Sequence, residues 1–487
     1  MLGSPNLLAE PPDVLQSNQA PDSLNPQSFS PSPDLASPFA SPAPTSGFQA
    51  TTYNSSGFIP PDTDGAVGPN HVVTALNGVV QVQDRAGNLL QTKSLNTFWG
   101  VSGVGQDYAY DPTVLYDRYN DRWIVTSCAN GNTHYGYILL AVSQTGDPTG
   151  TWTQWTTYPN AYFPHVSFIS GIPAQWADYD RTGFNKNWIV VQTNMYYHLN
   201  PSKTPGPTPS DPFEGTFVSV FPKAALYAGT AGQGASLHYT LFLRSDIGRT
   251  QVPAATYDNG TNPLYLLQDS LNGTQLRLFK VDGSVGNETF SSVATVNSRL
   301  GSWGINNSGA PQASTSALVD MGDSHINNLV YRNGLLWSAQ TVTVNSRSVI
   351  QWWQMTTGGS VQQQGRINPT DGYARGYPSI AVNANNAALI GYSIFSPGIY
   401  PSAAYSYRSS SDAANTLESE VVYKSGLGPY YYVDTTSTPY RNRWGDYSTT
   451  VVDPLDDISF WTIQEYAETP NFSASNYGVW GTWWAHI

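Results

Sequence analysis

Charged and aromatic residues recur along this chain just ahead of short β-branched or apolar runs. Asp111 precedes the run from Thr113 to Tyr116, and Asp446 precedes the run from Thr449 to Val452. The candidates for chemistry at such positions are Asp62, Asp64, Asp111, Asp178, Arg249, Asp323, His325, Arg375, Arg443, Asp446 and Tyr447. Two carboxylates in one pocket can act as general acid and as base or nucleophile, and arginine can clamp a carboxylate. Such a set suits a sugar, particularly an anionic one.

These residues divide into two groups by the chemistry that each type can do. The catalytic candidates are Asp111, Asp178, Asp446 and Tyr447. The substrate-binding candidates are Arg375, Arg443, Trp444, Tyr377 and His325, because arginine holds anionic groups and aromatic rings can stack on sugar faces. Structural alternatives stay open, because an aspartate can bind the N–H groups of its own turn and a histidine can be a hydrogen-bonded structural residue. Likewise, Arg443 and Asp446 can form an ion pair, and Tyr447 can simply pack.

The stretch Asp62-Thr63-Asp64-Gly65 is similar to the start of an oxygen-ligand calcium loop. The later acidic positions of such a loop are missing, and Pro69 and His71 follow instead. Calcium held by Asp62 and Asp64 is therefore the one metal hypothesis, and no other cofactor is predicted. Motifs for phosphate binding, zinc proteases and serine hydrolase elbows do not occur in the sequence.

The composition favours an all-β protein. The 487 residues include 43 Gly, 35 Pro, 31 Tyr and 15 Trp, and only 11% are charged, a mixture typical of many turns and strands. The net charge of −13 repels phosphate backbones and argues against nucleic acid as a partner. Cys128, the single cysteine, cannot form an internal disulfide and is expected to be buried. The sequence contains no apolar segment of about 20 residues, so no membrane span is predicted.

A four-strand unit is the element that would position these residues. Strands are predicted at Thr113–Tyr116, Trp123–Cys128, Tyr137–Val142 and Trp152–Thr157, and a four-stranded meander of this kind is one propeller blade. Similar strand entries recur at Asp64–Ala66, Asp111–Thr113, Ala177–Tyr179, Val252–Ala254, Asp323–His325, Tyr377–Ser379 and Asp446–Ser448. Seven entries predict a seven-bladed β-propeller of four-stranded antiparallel blades, with six or eight blades as alternatives. Two β-sandwich domains are the alternative architecture.

The last unit shows only three strands, so a strand near residues 47–56 is expected to complete its sheet. Residues 1–46 are rich in Pro, Ser and Asn and are predicted to be an extension or linker ahead of a propeller domain at 47–487. A segment that wraps over the folded body is the alternative for this extension. In a propeller, side chains at the strand entries converge on one central funnel.

Four stretches resemble a group of secreted bacterial β-propeller proteins that mostly have no assigned function. They are PPDTDGAVGPNH (60–71), DPTVLYDRYNDRW (111–123), GYPSIAVN (376–383) and RWGDYSTTVVDP (443–454). The resemblance covers roughly residues 58–487. It implies a propeller outside the cell or at its surface, and it implies no particular reaction.

The stretch from Ser143 to Trp152 is similar to the Asp-box of sialidases and other propeller glycosidases. The order here is Asp-x-x-Gly-Thr-Trp, which departs from the family spacing. Asp-boxes are structural turns between the third and fourth strands of a blade, so this resemblance concerns the fold.

These observations lead to one functional hypothesis with an alternative. The protein is expected to be a secreted, carbohydrate-engaging propeller, and a glycoside hydrolase or other polysaccharide-degrading enzyme if the funnel is catalytic. The alternative is a non-enzymatic adhesive or structural surface protein, with self-association as its characteristic interaction. The two hypotheses differ in whether carboxylates line an open pocket or are fully engaged in structural contacts.

Overall fold

The computed structural model describes residues 36–101, 108–131, 137–157, 175–197, 212–229, 239–258, 260, 263–432, 441–470 and 478–487. In this part of the chain the protein is all-β, and its strands form antiparallel units of four. No helix of the described residues has the length and apolar character needed to cross a membrane.

The first two described strands pair with strands far away in sequence. They are β1 (Ala36–Ala40) and β2 (Ser46–Thr52), followed by the short helix α1 (Tyr53–Ser56). The first sheet consists of β3 (Asp64–Val67), β4 (His71–Leu76), β5 (Val79–Asp84) and β6 (Leu89–Ser94), and α2 (Leu95–Trp99) follows it. The hydroxyl of Ser94 accepts a hydrogen bond from the N–H of Thr97 at 3.1 Å, which caps α2 and ends β6 there.

The second sheet matches the predicted four-strand unit. It contains β7 (Ala109–Asp117), β8 (Arg122–Ala129), β9 (Tyr137–Ser143) and β10 (Trp152–Thr157). The stretch with the Asp-box resemblance forms the turn between β9 and β10, where it was expected. There Asp147 Oδ1 accepts from the N–H of Thr149 at 2.9 Å, and Trp152 Nε1 donates to the carbonyl of Pro148 at 3.0 Å. This stretch therefore acts as a structural turn.

The third, fourth and fifth four-stranded sheets are joined through their first strands. The third contains β11 (Gln175–Phe184), β12 (Trp188–Tyr197), β13 (Phe213–Pro222) and, after helix α3 (Lys223–Tyr227), β14 (Thr240–Arg244). The fourth contains β15 (Val252–Thr256), β16 (Leu264–Asp269), β17 (Gln275–Ser284) and β18 (Asn287–Asn297). The fifth contains β19 (Ile326–Arg332), β20 (Leu335–Val344), β21 (Arg347–Thr356) and β22 (Val361–Ile367). Strand β15 pairs in parallel with both β11 and β19, so the three first strands lie side by side.

Strands β1 and β2 pair with strands that lie late in the described chain. The sixth sheet contains β23 (Ala374–Val382), β24 (Ala388–Ser396), β25 (Ile399–Arg408) and β27 (Val421–Lys424), and β26 (Leu417–Ser419) precedes β27. Strand β1, which belongs to the predicted extension, pairs in parallel with β26. The seventh sheet contains β28 (Thr449–Val452), β29 (Phe460–Ala467), β30 (Trp480–His486) and β2 as its fourth strand. The expected completing strand is thus Ser46–Thr52.

Apolar clusters lie between successive sheets. Trp123 and Leu139 of the second sheet pack with Val73 of the first, and Trp188 of the third packs with Phe279 of the fourth. The seventh sheet also packs against the first, through a cluster that includes Trp461, Trp484, Val67 and Val72. Each such side chain contributes about 1.5–3 kcal/mol when it is fully buried, so these interfaces supply the main stabilisation of the sheets.

All seven predicted entries fall within or directly before the first strand of a four-stranded unit. The entries lie in β3, β7, β11, β15 and β23 and immediately before β19 and β28. In three of them the strand register shifts around a residue with positive φ, namely Asp111 (51°), Tyr179 (54°) and Tyr377 (56°). A bulge of this kind redirects the side chains beside it, so the entries combine polar residues with an irregular backbone.

Candidate functional site

A cavity of about 40 Å³ opens beside the entries of the third, fourth and fifth sheets. Its ionisable side chains are Asp178, Arg249, Asp269, Asp323, His325 and Arg441, and the rings of Tyr179 and Tyr196 also line it. One buried water needs about 10–15 Å³ by this measure, so the cavity accepts a carboxylate or hydroxyl group and not a complete sugar ring.

Backbone irregularity places the wall residues of the fourth sheet. Thr250, which lies two residues before the start of β15, has a φ of 56°, and its N–H donates to Asn194 Oδ1 at 2.8 Å. The amide of Asn194 donates in turn to the hydroxyl of Thr250 at 3.0 Å. This reciprocal pair fixes the backbone next to Arg249. The guanidinium carbon of Arg249 lies 5.2 Å from the ring centroid of Tyr196 and 5.0 Å from that of Phe213, within the range of cation–π attraction.

Asp323 and His325 form a linked pair at the entry of the fifth sheet. The N–H of His325 donates to Asp323 Oδ1 at 2.9 Å, and the same carboxylate oxygen contacts His325 Nδ1. The ring of His325 also makes an edge-to-face contact with Tyr179, with 4.5 Å between the centroids. Burial alone would raise the pKa of Asp323. The interactions with His325, together with the charge of Arg249, outweigh it and lower that pKa.

Asp269, in contrast, is a structural acid of the cavity wall. It accepts hydrogen bonds from the hydroxyl of Ser324 at 2.7 Å, from Gln340 Nε2 at 3.0 Å and from the N–H of Leu271 at 2.8 Å. Burial raises the pKa of this carboxyl to about 6, although the hydrogen bonds from Ser324 and Leu271 act in the opposite direction. Through these hydrogen bonds the Asp269 carboxylate links the fourth sheet to the fifth.

A buried cluster lies behind the cavity and touches it through Tyr179, whose ring centroid is 5.3 Å from that of Tyr447. The hydroxyl of Tyr447 donates to Asp111 Oδ2 at 3.2 Å, and its ring lies under the guanidinium of Arg181. Arg181 Nη1 is 3.5 Å from Asp64 Oδ2. Tyr447 is only 1% exposed and Asp111 only 3% exposed, so a ligand in the cavity does not reach them directly.

A second buried group joins the first and seventh sheets. Arg443 Nη2 donates to Asp446 Oδ2 at 2.7 Å, and the N–H of Asp446 donates to Asp62 Oδ1 at 2.7 Å. Asp62 Oδ2 accepts from the side-chain amide of Asn77 at 2.7 Å. Beside them the carboxyl of Glu465 accepts from the hydroxyl of Thr63 at 2.8 Å. Burial raises the pKa of Glu465 well above its usual range, and the charges of the two neighbouring aspartates add to this rise.

The proposed calcium ligands are held by protein donors. Both oxygens of Asp62 accept the hydrogen bonds just described. Asp64 Oδ1 accepts from the N–H of Gly65 at 2.6 Å and from the hydroxyl of Thr449 at 3.0 Å, and burial raises the pKa of Asp64 to about 6. Among the residues that the structure describes, His, Cys, Asp and Glu side chains form no group of three suited to a metal ion. These contacts give no geometric support for calcium at Asp62 and Asp64, which stays a prediction.

Three of the predicted substrate-binding residues lie in structural positions. Arg375 is 1% exposed and donates to Glu420 Oε2 at 2.7 Å and to Asp371 Oδ2 at 2.6 Å. Trp444 is equally buried, and its Nε1 donates to the hydroxyl of Ser393 at 3.0 Å. The hydroxyl of Tyr377 donates to the carbonyl of Asp320 at 2.6 Å. None of the three lines the cavity.

The cavity therefore brings together only part of the predicted set. It contains Asp178 from the predicted catalytic residues, His325 from the predicted binding residues, and Arg249 and Asp323 from the wider list of candidates. Sequence reasoning missed Arg441, Asp269 and Tyr196. Arg441 stands two residues before the recognised RWGDYS stretch, which could have signalled it, whereas nothing in the sequence connects Asp269 with the entries.

No protein-family profile matches the chain, and no curated protein matches its sequence. Among solved structures, a protein of unknown function from Dyadobacter fermentans is similar at 11% identity and a TM-score of 0.41, over 79% of this chain and 96% of the other. The NanB sialidase of Streptococcus pneumoniae is similar at 9% identity and a TM-score of 0.40, over 81% and 78%. A mutant apocarotenoid oxygenase of Synechocystis is similar at 10% identity and a TM-score of 0.40, over 74% of each chain. Similarity at this level decides neither the fold nor the function.

Proposed function

We propose that this protein binds an anionic carbohydrate outside the cell and holds its carboxylate in the cavity between the third, fourth and fifth sheets. The observation that carries the proposal is the convergence of Arg249, Arg441 and His325 on one small cavity beside the ring of Tyr179. Arginine pairs with a carboxylate through parallel N–H donors, and a carboxylate is a group that this cavity accepts. Asp178, Asp269 and Asp323 line the same cavity, and Arg441 also pairs with Asp320, so the two arginines and His325 are set among carboxylates.

We also propose that the seven four-stranded units are blades arranged around one axis. Two contacts between the seventh and first sheets support this ring: the hydroxyl of Thr449 donates to Asp64 at 3.0 Å, and Trp484 Nε1 donates to the hydroxyl of Thr74 at 2.8 Å. The shared apolar cluster of these two sheets supports it as well. In this arrangement the cavity lies off the axis and the Tyr447 cluster fills the centre.

Cleavage of the bound glycan is assigned to only one of the predicted catalytic acids, Asp178, together with Asp323 from the wider list. Asp178 and Asp323 line the cavity, whereas Asp111 and Asp446 are buried and Tyr447 is covered by Arg181. A general acid or base must come within hydrogen-bond reach of its substrate. We therefore assign hydrolysis to the pair Asp178 and Asp323 and a positioning role to the residues behind Tyr179.

The test combines binding and product analysis on a panel of neutral and anionic polysaccharides. Binding is measured by isothermal titration calorimetry, and new reducing ends and product masses are followed in parallel. We expect wild-type protein to bind uronate-containing glycans, Arg249→Gln to lose about tenfold or more in affinity, and Arg244→Gln to retain it. Arg244 is a suitable control because it forms a partly exposed ion pair with Asp246 on an edge strand. Equal binding by both variants, or no binding of any anionic glycan, would overturn the proposal and favour the adhesive, self-associating alternative.

A further inference from the structure

A second and larger cavity, of about 330 Å³, lies at one end of the first sheet. It is bounded by α1, by the turn between β4 and β5, and by the segment where β6 passes into α2. Its volume is within the range of small-molecule sites, about 300–1,000 Å³. It shares no lining residue with the cavity of the proposed function.

Tight local packing shapes the walls of this second cavity. Gly78 has a φ of 86°, and a Cβ atom at this position would overlap the ring of Phe58, so the turn and the ring are fitted to each other. The N–H of Leu95 donates to the carbonyl of Gly78 at 3.1 Å, which fixes α2 against the same turn. Asn96 Oδ1 accepts from the N–H of Ala109 at 2.8 Å and fixes the opposite wall. The space is therefore held open by hydrogen-bonded backbone.

The polar groups of the lining include several without protein partners. The side chains of Ser55, Thr92 and Lys93 make no hydrogen bond or ion pair with any residue in the described part of the chain. Lys93 is half-buried, whereas Ser55 and Thr92 are exposed at the rim. Phe58 and Val79 add an apolar portion to the wall. A cation, two hydroxyl groups and one aromatic ring form a combination that matches a charged sugar.

We propose that this second cavity is a binding site for a monosaccharide unit that carries a carboxylate, such as a hexuronate. Lys93 supplies the positive charge for the carboxylate, Ser55 and Thr92 bind sugar hydroxyls, and Phe58 packs against the ring face. A net charge of −13 disfavours anions in general, so an anion binds this surface only where a local cation compensates. The site goes beyond the proposed function, because a glycan chain held at two places gains affinity through its second attachment.

The experiment uses the full chain with the substitution Arg249→Gln, which disables the first cavity. Methyl β-D-glucuronide and methyl β-D-glucoside are titrated by saturation-transfer NMR, because the two probes differ only in the carboxylate. We expect the glucuronide to bind, to bind more tightly than the glucoside, and to lose about ten- to a hundredfold in affinity when Lys93→Gln is added. Thr92→Val is expected to give a smaller loss. Adding Arg244→Gln instead is expected to change nothing.

The site proposal is overturned if the Arg249→Gln protein does not bind the glucuronide, if Lys93→Gln leaves its affinity unchanged, or if both probes bind equally. Identical binding by wild-type and Arg249→Gln protein, with a loss on Lys93→Gln, would reject the first cavity and retain the second. Circular dichroism and thermal unfolding of each variant establish that a loss of binding is not a loss of folding.

Discussion

The guanidinium carbon of Arg181 lies 3.5 Å from the centroid of the Tyr447 ring, so the first strand of the third sheet contacts the entry of the seventh directly. The same two side chains reach Asp64 of the first sheet and Asp111 of the second. Four sheets thus meet in one buried group. Substitutions in this group are therefore expected to change stability, whereas substitutions in the two cavities change binding.

Tyr447→Phe is expected to lower the free energy of unfolding by about 1–2 kcal/mol, because Asp111 loses a buried hydrogen-bond donor while Arg181 keeps a ring beneath it. The measurement is urea unfolding followed by fluorescence. Tyr400→Phe is the matched control, since the hydroxyl of Tyr400 contacts Ser314 in an exposed setting at 3.2 Å. An equal loss of unfolding free energy in the two variants would contradict a stabilising role for the buried hydrogen bond between Tyr447 and Asp111.

Stability is expected to fall as pH rises from about 4 to 8 because of Asp180. Burial raises the pKa of this carboxyl to about 8, and the charge of Asp111 adds to the rise. The folded state then holds a proton that the unfolded state has already released. The stabilisation is complete below the unfolded pKa of about 3.9 and is lost as pH passes through 8, with a slope of up to about 1.4 kcal/mol per pH unit.

Asp180→Asn should flatten this slope when urea midpoints are compared between pH 4.5 and 8.5. The amide keeps an acceptor for the hydroxyl of Thr126, which donates to Asp180 at 2.8 Å. Asp246→Asn serves as the control, because the ion pair with Arg244 lowers the pKa of Asp246 to about 2, outside this range. Parallel slopes in wild type and Asp180→Asn would contradict the assignment.

Arg375→Gln is expected to destabilise the protein by about 3 kcal/mol and to leave glycan binding unchanged. The buried guanidinium is paired with Asp371 and Glu420, and its removal leaves Glu420 without a cation and Asp371 with only Arg347, 3.9 Å away. Thermal unfolding and calorimetric binding are measured on the same sample, with the exposed Arg299→Gln as control. The opposite result, loss of binding with unchanged stability, would restore Arg375 to the substrate-binding role that its position in the sequence suggested.

Gly47→Val is expected to disrupt the pairing of β2 with β30. A Cβ atom at Gly47 would lie 2.7 Å from the carbonyl oxygen of Trp484 and 2.8 Å from Nε1 of Trp483, closer than side-chain atoms normally approach. The edge of the seventh sheet should then exchange its amide protons faster, which hydrogen-exchange mass spectrometry of residues 480–486 can measure. Ser46→Ala, at the exposed start of the same strand, should leave exchange as in wild type.

The strands and their entries could be predicted because the information for them is local. Alternating apolar residues and Asp- or Asn-containing turns mark β7 to β10 without reference to the rest of the chain. The cavity lining was not predictable in this way, since bulges at Asp111 and Tyr179 decide which neighbouring side chain is turned inwards. Arg375 shows the same limit: its partner Glu420 lies 45 residues away and comes beside it only through the pairing within the sixth sheet.

Ser46 pairs with His486 in the seventh sheet, so β2 is synthesised long before its partner strand β30. During translation β2 therefore has no partner until residue 486 has left the ribosome, and its unpaired edge can pair with other chains in the meantime. Contacts so distant in sequence also slow folding, because a very long loop must close before they form. We expect the yield of folded protein in a producing cell to depend on chaperones that hold the nascent chain until β2 and β30 can pair.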